Sequence, residues 1–273
     1  MQDILVCSNC RSDLRWFDDF AKCVSCDSEF PLENGIINML PEIDEGERRL
    51  YNNPSHLKLK RMQQAVHQAH YVDSLSGKLE RKFKKHLMTM VSERTPTVVD
   101  LGCGTGTGFE LFHANQKIIG VDRDMNLLNQ CRKNHSEATL ICCDMASSPF
   151  RTAAFSSVFA IAILEHLYWL YRVLFQIQQM LNSSGKLYVL IPTEGAISWS
   201  LARNLFTLRR NAKIVGISPR EMAEAMRVEH CNTVFAVDSA IRKFFHVDQC
   251  SLWPFNIGGA HLNLVKCYRL SSI

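Results

Sequence analysis

No stretch of the 273-residue chain reaches the roughly 18 uncharged apolar residues that a membrane-crossing helix needs, so no membrane span is expected. The opening Met1-Gln-Asp-Ile-Leu-Val lacks the basic start, long apolar run and small-residue cleavage site of an export signal. There is no internal repeat and no low-complexity tract, which sets aside repeat architectures and long unstructured arms. A formal charge of +4 is too small to announce nucleic-acid binding by itself. Eleven cysteines without an export signal point to reduced thiols rather than a disulfide framework, with the cytoplasm as the expected compartment.

What is present suits one large domain and one small one. A composition 47% hydrophobic over this length can bury a full core. Three zones emerge: residues 1–42 with two Cys-x-x-Cys pairs, a polar helical region over 43–94, and an α/β domain over 95–273. In the middle zone, Leu57, Met62, Val66, Ala69 and Val72, then Leu79, Phe83, Leu87 and Met90, recur at helical spacing, with a break expected at Ser74–Gly77. Eight lysines and arginines between His56 and His86, against Asp73 and Glu80, give that segment +6 and leave −2 elsewhere.

From Thr95 onward strands and helices alternate, as βαβ units of a buried parallel sheet require. Strands are expected at 97–101, 117–121, 139–143, 157–161 and 186–191, and the clearest helix at 163–181. Segments 243–253 and 261–270 are strand-like around the turn Asn256-Ile-Gly-Gly259, so the sheet should end in an antiparallel pair. The predicted fold is α/β: a Rossmann-like, seven-stranded, mostly parallel sheet with an antiparallel C-terminal pair, preceded by a small zinc ribbon.

The turn Val98-Val-Asp100-Leu-Gly102-Cys103-Gly104-Thr-Gly106 runs from a buried strand into a helix expected from Thr107. Its glycines permit a sharp turn and close approach of a ligand to the main chain. The dinucleotide fingerprint fails here, since its third small position would fall on Thr107 or Phe109. Asp100 would repel a diphosphate but suits a cationic amino-acid end. Asp122 closes the second strand, 22 residues beyond Asp100, where a carboxylate accepts from ribose hydroxyls. Asp144 ends the third strand, placed to accept from an adenine amino group.

Over roughly 95–270 these motifs resemble the class I S-adenosylmethionine-dependent methyltransferases. The matching residues are Asp100-Leu-Gly-Cys-Gly-Thr-Gly106, Gly120-Val-Asp122, Cys143-Asp-Met-Ala-Ser-Ser-Pro-Phe150, Ile163-Leu-Glu-His-Leu167 and Met180-Leu-Asn-Ser-Ser-Gly-Lys-Leu187. The resemblance implies that Asp100, Gly102 and Gly104 hold the methionine part of S-adenosylmethionine, Asp122 the ribose, and Asp144 with Met145 the adenine. Cys103, Arg123, Cys143 and Ala160 would complete that site. A departure is Ser156, where the family usually carries Asp.

Cys7-x-x-Cys10 and Cys23-x-x-Cys26 can close tetrahedral thiolate coordination around one structural Zn²⁺. The rival, a redox pair, would call for a single pair in a βαβ context. Residues 1–41 resemble the small zinc-ribbon activator subunit of eukaryotic tRNA and translation-factor methyltransferases, which implies a docking or substrate-presenting module.

His166, after the fourth strand, is the candidate general base; the alternative is a histidine capping the following helix or packing beside Glu165. Glu194, Arg203 and His230 are candidates for an acceptor pocket, in a region resembling methyltransferases of surface-glycan gene sets. The expected acceptor is a small or polar molecule, including sugar-linked ones. RNA is the alternative, with the basic helix and the ribbon in its favour, and a non-catalytic scaffold binding a protein partner is the second.

Overall fold

The computed structural model describes residues 2–41, 62 and 75–273. Most of the region expected to be helical over 43–94, including Lys58, Lys60 and Arg61 of the basic cluster, lies outside the described residues. Its described part is helix α1 (Leu75–Met88), which begins inside the stretch expected to interrupt it.

The α/β domain is built on seven strands: β5 (Thr97–Leu101), β6 (Lys117–Asp122), β7 (Thr139–Cys142), β8 (Phe155–Ile161), β9 (Leu181–Pro192), β10 (Phe245–Trp253) and β11 (Val265–Ser272). Between them lie α2 (Met125–Asn134), α3 (Leu170–Met180), α4 (Ile197–Ala202), α5 (Leu208–Val215), α6 (Pro219–Glu229) and α7 (Val234–Phe244). Buried runs such as Val98-Val99 and Val158-Phe-Ala160 pack on both faces, as parallel strands covered by helices must. Helix α3 buries one stripe, Leu170, Val173, Leu174, Ile177 and Met180. β9–β11–β10 form the expected antiparallel end.

The N-terminal residues add β1 (Leu14–Trp16), β2 (Phe20–Cys23), β3 (Glu29–Glu33) and β4 (Ile36–Asn38). These are not a separate sheet. β4 pairs in parallel with β7, through Ile36↔Leu140, Ile37↔Ile141 and Asn38↔Cys142. The order is therefore β1-β2-β3-β4-β7-β6-β5-β8-β9-β11-β10, eleven strands where seven were expected. The fold class stands; the difference is that the ribbon's apolar Ile36 and Ile37, both fully buried, cover the edge of the larger sheet.

Two helix expectations need correction. After the glycine turn there is only a 3₁₀ turn (Phe109–Leu111), not a helix from Thr107. The expected helix 163–181 is broken into a 3₁₀ turn (Leu164–His166) and α3. The reason lies far along the chain: Asn232 donates to the carbonyls of Leu164 and Leu167, and its own backbone N–H bonds Glu165 O. Carbonyls that a continuous helix would use are already taken. Among the described residues, no helix is long and apolar enough to cross a membrane.

Candidate functional site

The first part of the site is main chain at the C-terminal ends of β5 and β6. The backbone N–H groups of Gly102 and Cys103 both bond Val121 O, at 2.7 and 3.0 Å, which folds the turn over the end of β6. Gly102 sits at φ +69°, and a Cβ there would lie 2.6 Å from Ile163. Gly104 sits at φ +54° with open space where its Cβ would be, so its backbone is the part of the turn a ligand can approach.

Asp122 fixes this turn from beneath. One carboxylate oxygen accepts from Gly104 N–H at 2.9 Å and the other from Asp124 N–H at 2.8 Å. Each oxygen keeps a second lone pair for a ligand hydroxyl. Burial raises the Asp122 pKa, while these amides oppose the shift. Asp100 is almost fully buried, and burial pushes its carboxyl up to about 7; Lys84 pulls the other way and Asp122 adds to the rise. Lys84 is one of the eight basic residues of the His56–His86 segment, a run in which a charge turned to solvent would be ordinary. It is instead 6% exposed, bonded to Thr107 Oγ1 at 3.2 Å and to Glu80 at 2.8 Å. Helical spacing alone could not reveal that this lysine turns inward.

Beyond β7, Asp144 caps a 3₁₀ turn (Met145–Ser147) by accepting from Ala146 N–H, and its other oxygen lies 3.4 Å from the Arg123 guanidinium. Cys143 N–H bonds Asp122 O at 3.1 Å, tying the two strand ends together. The structure thus gathers Asp100, Gly102, Gly104, Asp122, Arg123, Asp144 and Met145 along one edge of the sheet. Cys103, Cys143 and Ala160 have their side chains buried in the core, so what they can offer a ligand is main chain. Ser156, the departure from the family pattern, accepts from Asn182 Nδ2 at 2.8 Å.

The second part is made of side chains. Ile163, in contact with the Gly102 turn, leads into Glu165 and His166, and the end of α6 brings Glu229 and His230 against them. His166 Nδ1 lies 3.1 Å from Glu229 O and Nε2 3.7 Å from Glu165 Oε1. The His166 and His230 rings meet edge to face at 4.8 Å. Glu194, just past β9, binds His230 Nδ1 at 2.9 Å, Trp199 Nε1 at 2.7 Å and Arg203 at 2.6 Å. Burial would lower the His230 pKa, but the Glu194 hydrogen bond and the neighbouring carboxylates outweigh it and raise it. Burial likewise pushes Glu165 up to about 7, and its buried Oε2 has no hydrogen-bond partner among the described residues. Glu165 and Glu229, the carboxylates closest to His166, were not assigned roles from sequence. One ligand atom each from His166, Glu229 and His230 falls within 4.8 Å of the others, so this cluster can take a proton or a cation.

The four cysteines form a separate site. Cys7 Sγ lies 3.6 Å from Cys26 Sγ, and Cys10 Sγ 3.4 Å from Cys23 Sγ, with all four sulfurs within 4.8 Å. Four sulfurs held about 2.3 Å from one tetrahedral ion would be about 3.8 Å apart. The spacing fits a shared metal and is far from a disulfide bond. Ser25 N–H and Cys26 N–H both point at Cys23 Sγ, a donor pattern suited to a thiolate.

Residues 99–189 match a family described as "Methyltransferase domain". A 69-residue stretch is 39% identical to a tRNA (carboxymethyluridine(34)-5-O)-methyltransferase alkbh8 of Xenopus tropicalis, covering 25% of this chain and 10% of that protein. A 94-residue stretch is 31% identical to a malonyl-[acyl-carrier protein] O-methyltransferase of Legionella pneumophila, covering 32% of this chain and 33% of that one. The chain therefore spans a third or less of the length of these two curated relatives. Among solved structures, the N-methyltransferase NodS of Bradyrhizobium japonicum WM9, bound to S-adenosyl-L-homocysteine, superposes with a TM-score of 0.55 at 11% identity. That alignment covers 79% of this chain and 98% of NodS. Residues 99–189 of this chain thus match a methyltransferase-domain family, and the chain shares the fold of NodS.

Proposed function

We propose that the protein transfers a methyl group from S-adenosylmethionine to a small or polar acceptor, sugar-linked acceptors included. The observation that carries this reading is the Gly104 turn, with its backbone open to solvent and its N–H anchored on Asp122. The donor supplies an activated methyl on a sulfonium, and the chain's residues position the two reactants. Asp100 would hold the donor's ammonium, Asp122 its ribose hydroxyls, and Asp144 with Met145 its adenine, while Cys103 and Cys143 contribute main chain. His166 is the proton acceptor in this reading, steered by the Glu229 carbonyl and by the Glu165 carboxylate. Cys7, Cys10, Cys23 and Cys26 would hold one structural zinc over residues 1–42.

A second reading, methylation of RNA, is favoured by the similarity to the tRNA methyltransferase of Xenopus tropicalis. Tyr168 and Trp169, about 70% exposed beside His166, offer ring faces on which bases can stack. Incubating the protein and methyl-labelled donor with a cell lysate, with and without ribonuclease, separates the readings. Label surviving ribonuclease in the small-molecule fraction is the expected result; label lost to ribonuclease would establish the RNA reading. No labelled product in any fraction would leave a non-catalytic scaffold.

A further inference from the structure

We propose that the metal-bound ribbon is a positioning element of the donor site, and that Arg11 is the residue through which it acts. This rests on the donor site proposed above.

The segment that leaves β7, residues 143–151, begins with Cys143, Asp144 and Met145 at the adenine end. It is bonded to the ribbon at several points. Met39 N–H extends the β4–β7 pairing by bonding Cys142 O at 2.7 Å. Val6 N–H bonds Pro149 O at 2.7 Å, Arg151 N–H bonds Ile4 O at 2.9 Å, and Leu5 bridges Phe150 antiparallel. Leu5 and Phe150 are 0% and 1% exposed, so this junction is core.

Arg11 adds a charged clamp. Its two terminal nitrogens donate separately to the carbonyls of Ser148 and Phe150. Arg11 is itself exposed, but both acceptors belong to residues almost wholly buried, so removing the guanidinium takes a charge-assisted partner from two buried carbonyls. Arg11 directly follows the ligand Cys10, and the first Cys pair sets its place. Its N–H bonds Cys7 O at 2.9 Å, Cys7 N–H bonds Ser12 O at 2.9 Å, and its φ of +68° is a left-handed geometry that an arginine adopts only when the surroundings impose it. Four sulfurs on one ion fix Cys7 and Cys10; these fix Arg11; Arg11 fixes residues 148–150, and with them the turn that Asp144 caps. β4 has its own pairing with β7 and does not need the metal. The clamp does.

The test uses the full chain. S-adenosylhomocysteine affinity is measured by calorimetry for wild type, Arg11→Ala and Arg11→Lys, each with metal bound and after chelation, with metal content and amide hydrogen exchange followed in parallel. Arg11→Ala should keep one metal per chain yet bind about tenfold more weakly, and Arg11→Lys, which keeps one donor, should fall between. Exchange should quicken over 143–151 and stay unchanged in β8 and β9, which a general loss of stability would not reproduce. Chelation should weaken wild type by at least as much and add little to Arg11→Ala, because both break one chain of contacts. Equal affinity in wild type, Arg11→Ala and the chelated protein would overturn the coupling. Absence of binding by metal-loaded wild type would instead overturn the donor site itself, while faster exchange over 143–151 on chelation would still support the clamp.

Discussion

The proposed donor end and the proposed acceptor end of this sheet are built by different means. The donor end joins a backbone turn, Gly102 and Gly104, to aspartates at or near the ends of β5, β6 and β7, all within 45 residues of sequence. The acceptor end is side chains from three distant segments, with His230 lying 64 residues beyond His166 and meeting it ring to ring. Backbone geometry restricts residue choice severely, so it leaves a readable motif. A side-chain cluster assembled across the fold leaves almost none, and it is where the chemistry can vary between proteins of one fold.

The sharpest way to break this comparison is at His166. His166→Ala should lower turnover about 10²–10⁴-fold while S-adenosylhomocysteine affinity is kept, because its contacts with Glu165, Glu229 and His230 belong to the proposed acceptor end. Steady-state kinetics together with calorimetry check this. A variant that unfolds at lower temperature but turns over normally would make His166 a structural histidine.

The next effect is on stability. Glu165, with its carboxyl raised to about 7 by burial, binds its proton more tightly in the folded than in the unfolded chain. Its contribution is fully present below the unfolded value near 4.5 and is lost as pH rises through about 7. Glu165→Gln should therefore be more stable than wild type above pH 7, by roughly 2–3 kcal/mol, and should flatten that part of the pH profile. Urea unfolding at pH 5 and pH 8 measures it. Equal pH slopes in the two proteins would remove Glu165 as the source.

A smaller effect belongs to the donor end. Asp100, raised to about 7 by burial in the ligand-free protein, must be ionised to hold an ammonium. Donor affinity should therefore tighten as pH rises from 6 to 8, by up to about tenfold, and level off above. Lys84 and Asp122 also face Asp100, so Asp100→Asn is the control; it should bind weakly at every pH, with that slope gone.

How much of this was legible in the sequence follows the same division. The strands, their order of types and the antiparallel end follow from runs such as Val98-Val99 and from the Asn256–Gly259 turn. Asp122 lies at the end of β6 and Asp144 just past β7, as the sequence implies, while the burial of the Cys103, Cys143 and Ala160 side chains is not legible there. The break before α3 was not legible, since it depends on Asn232 reaching back to Leu164 and Leu167. Nor was the inward turn of Lys84, or the guanidinium of Arg11 reaching Ser148 and Phe150 across 137 and 139 positions. The cysteine spacing announces a ribbon but not its place beside the larger sheet. The short apolar run Ile36-Ile37 of β4 is silent on its neighbour, and pairing with β7 joins the two.

The central claim, a donor site organised by Asp122 beneath the Gly104 turn, is tested most directly by titrating metal-loaded protein with S-adenosylhomocysteine in a calorimeter. The account predicts micromolar binding by wild type and a loss of about 10- to 100-fold in Asp122→Ala, from the charge-assisted bonds to the ribose and the anchor of Gly104 N–H. Unchanged affinity in Asp122→Ala, or tighter binding of NAD than of S-adenosylhomocysteine by wild type, would contradict it.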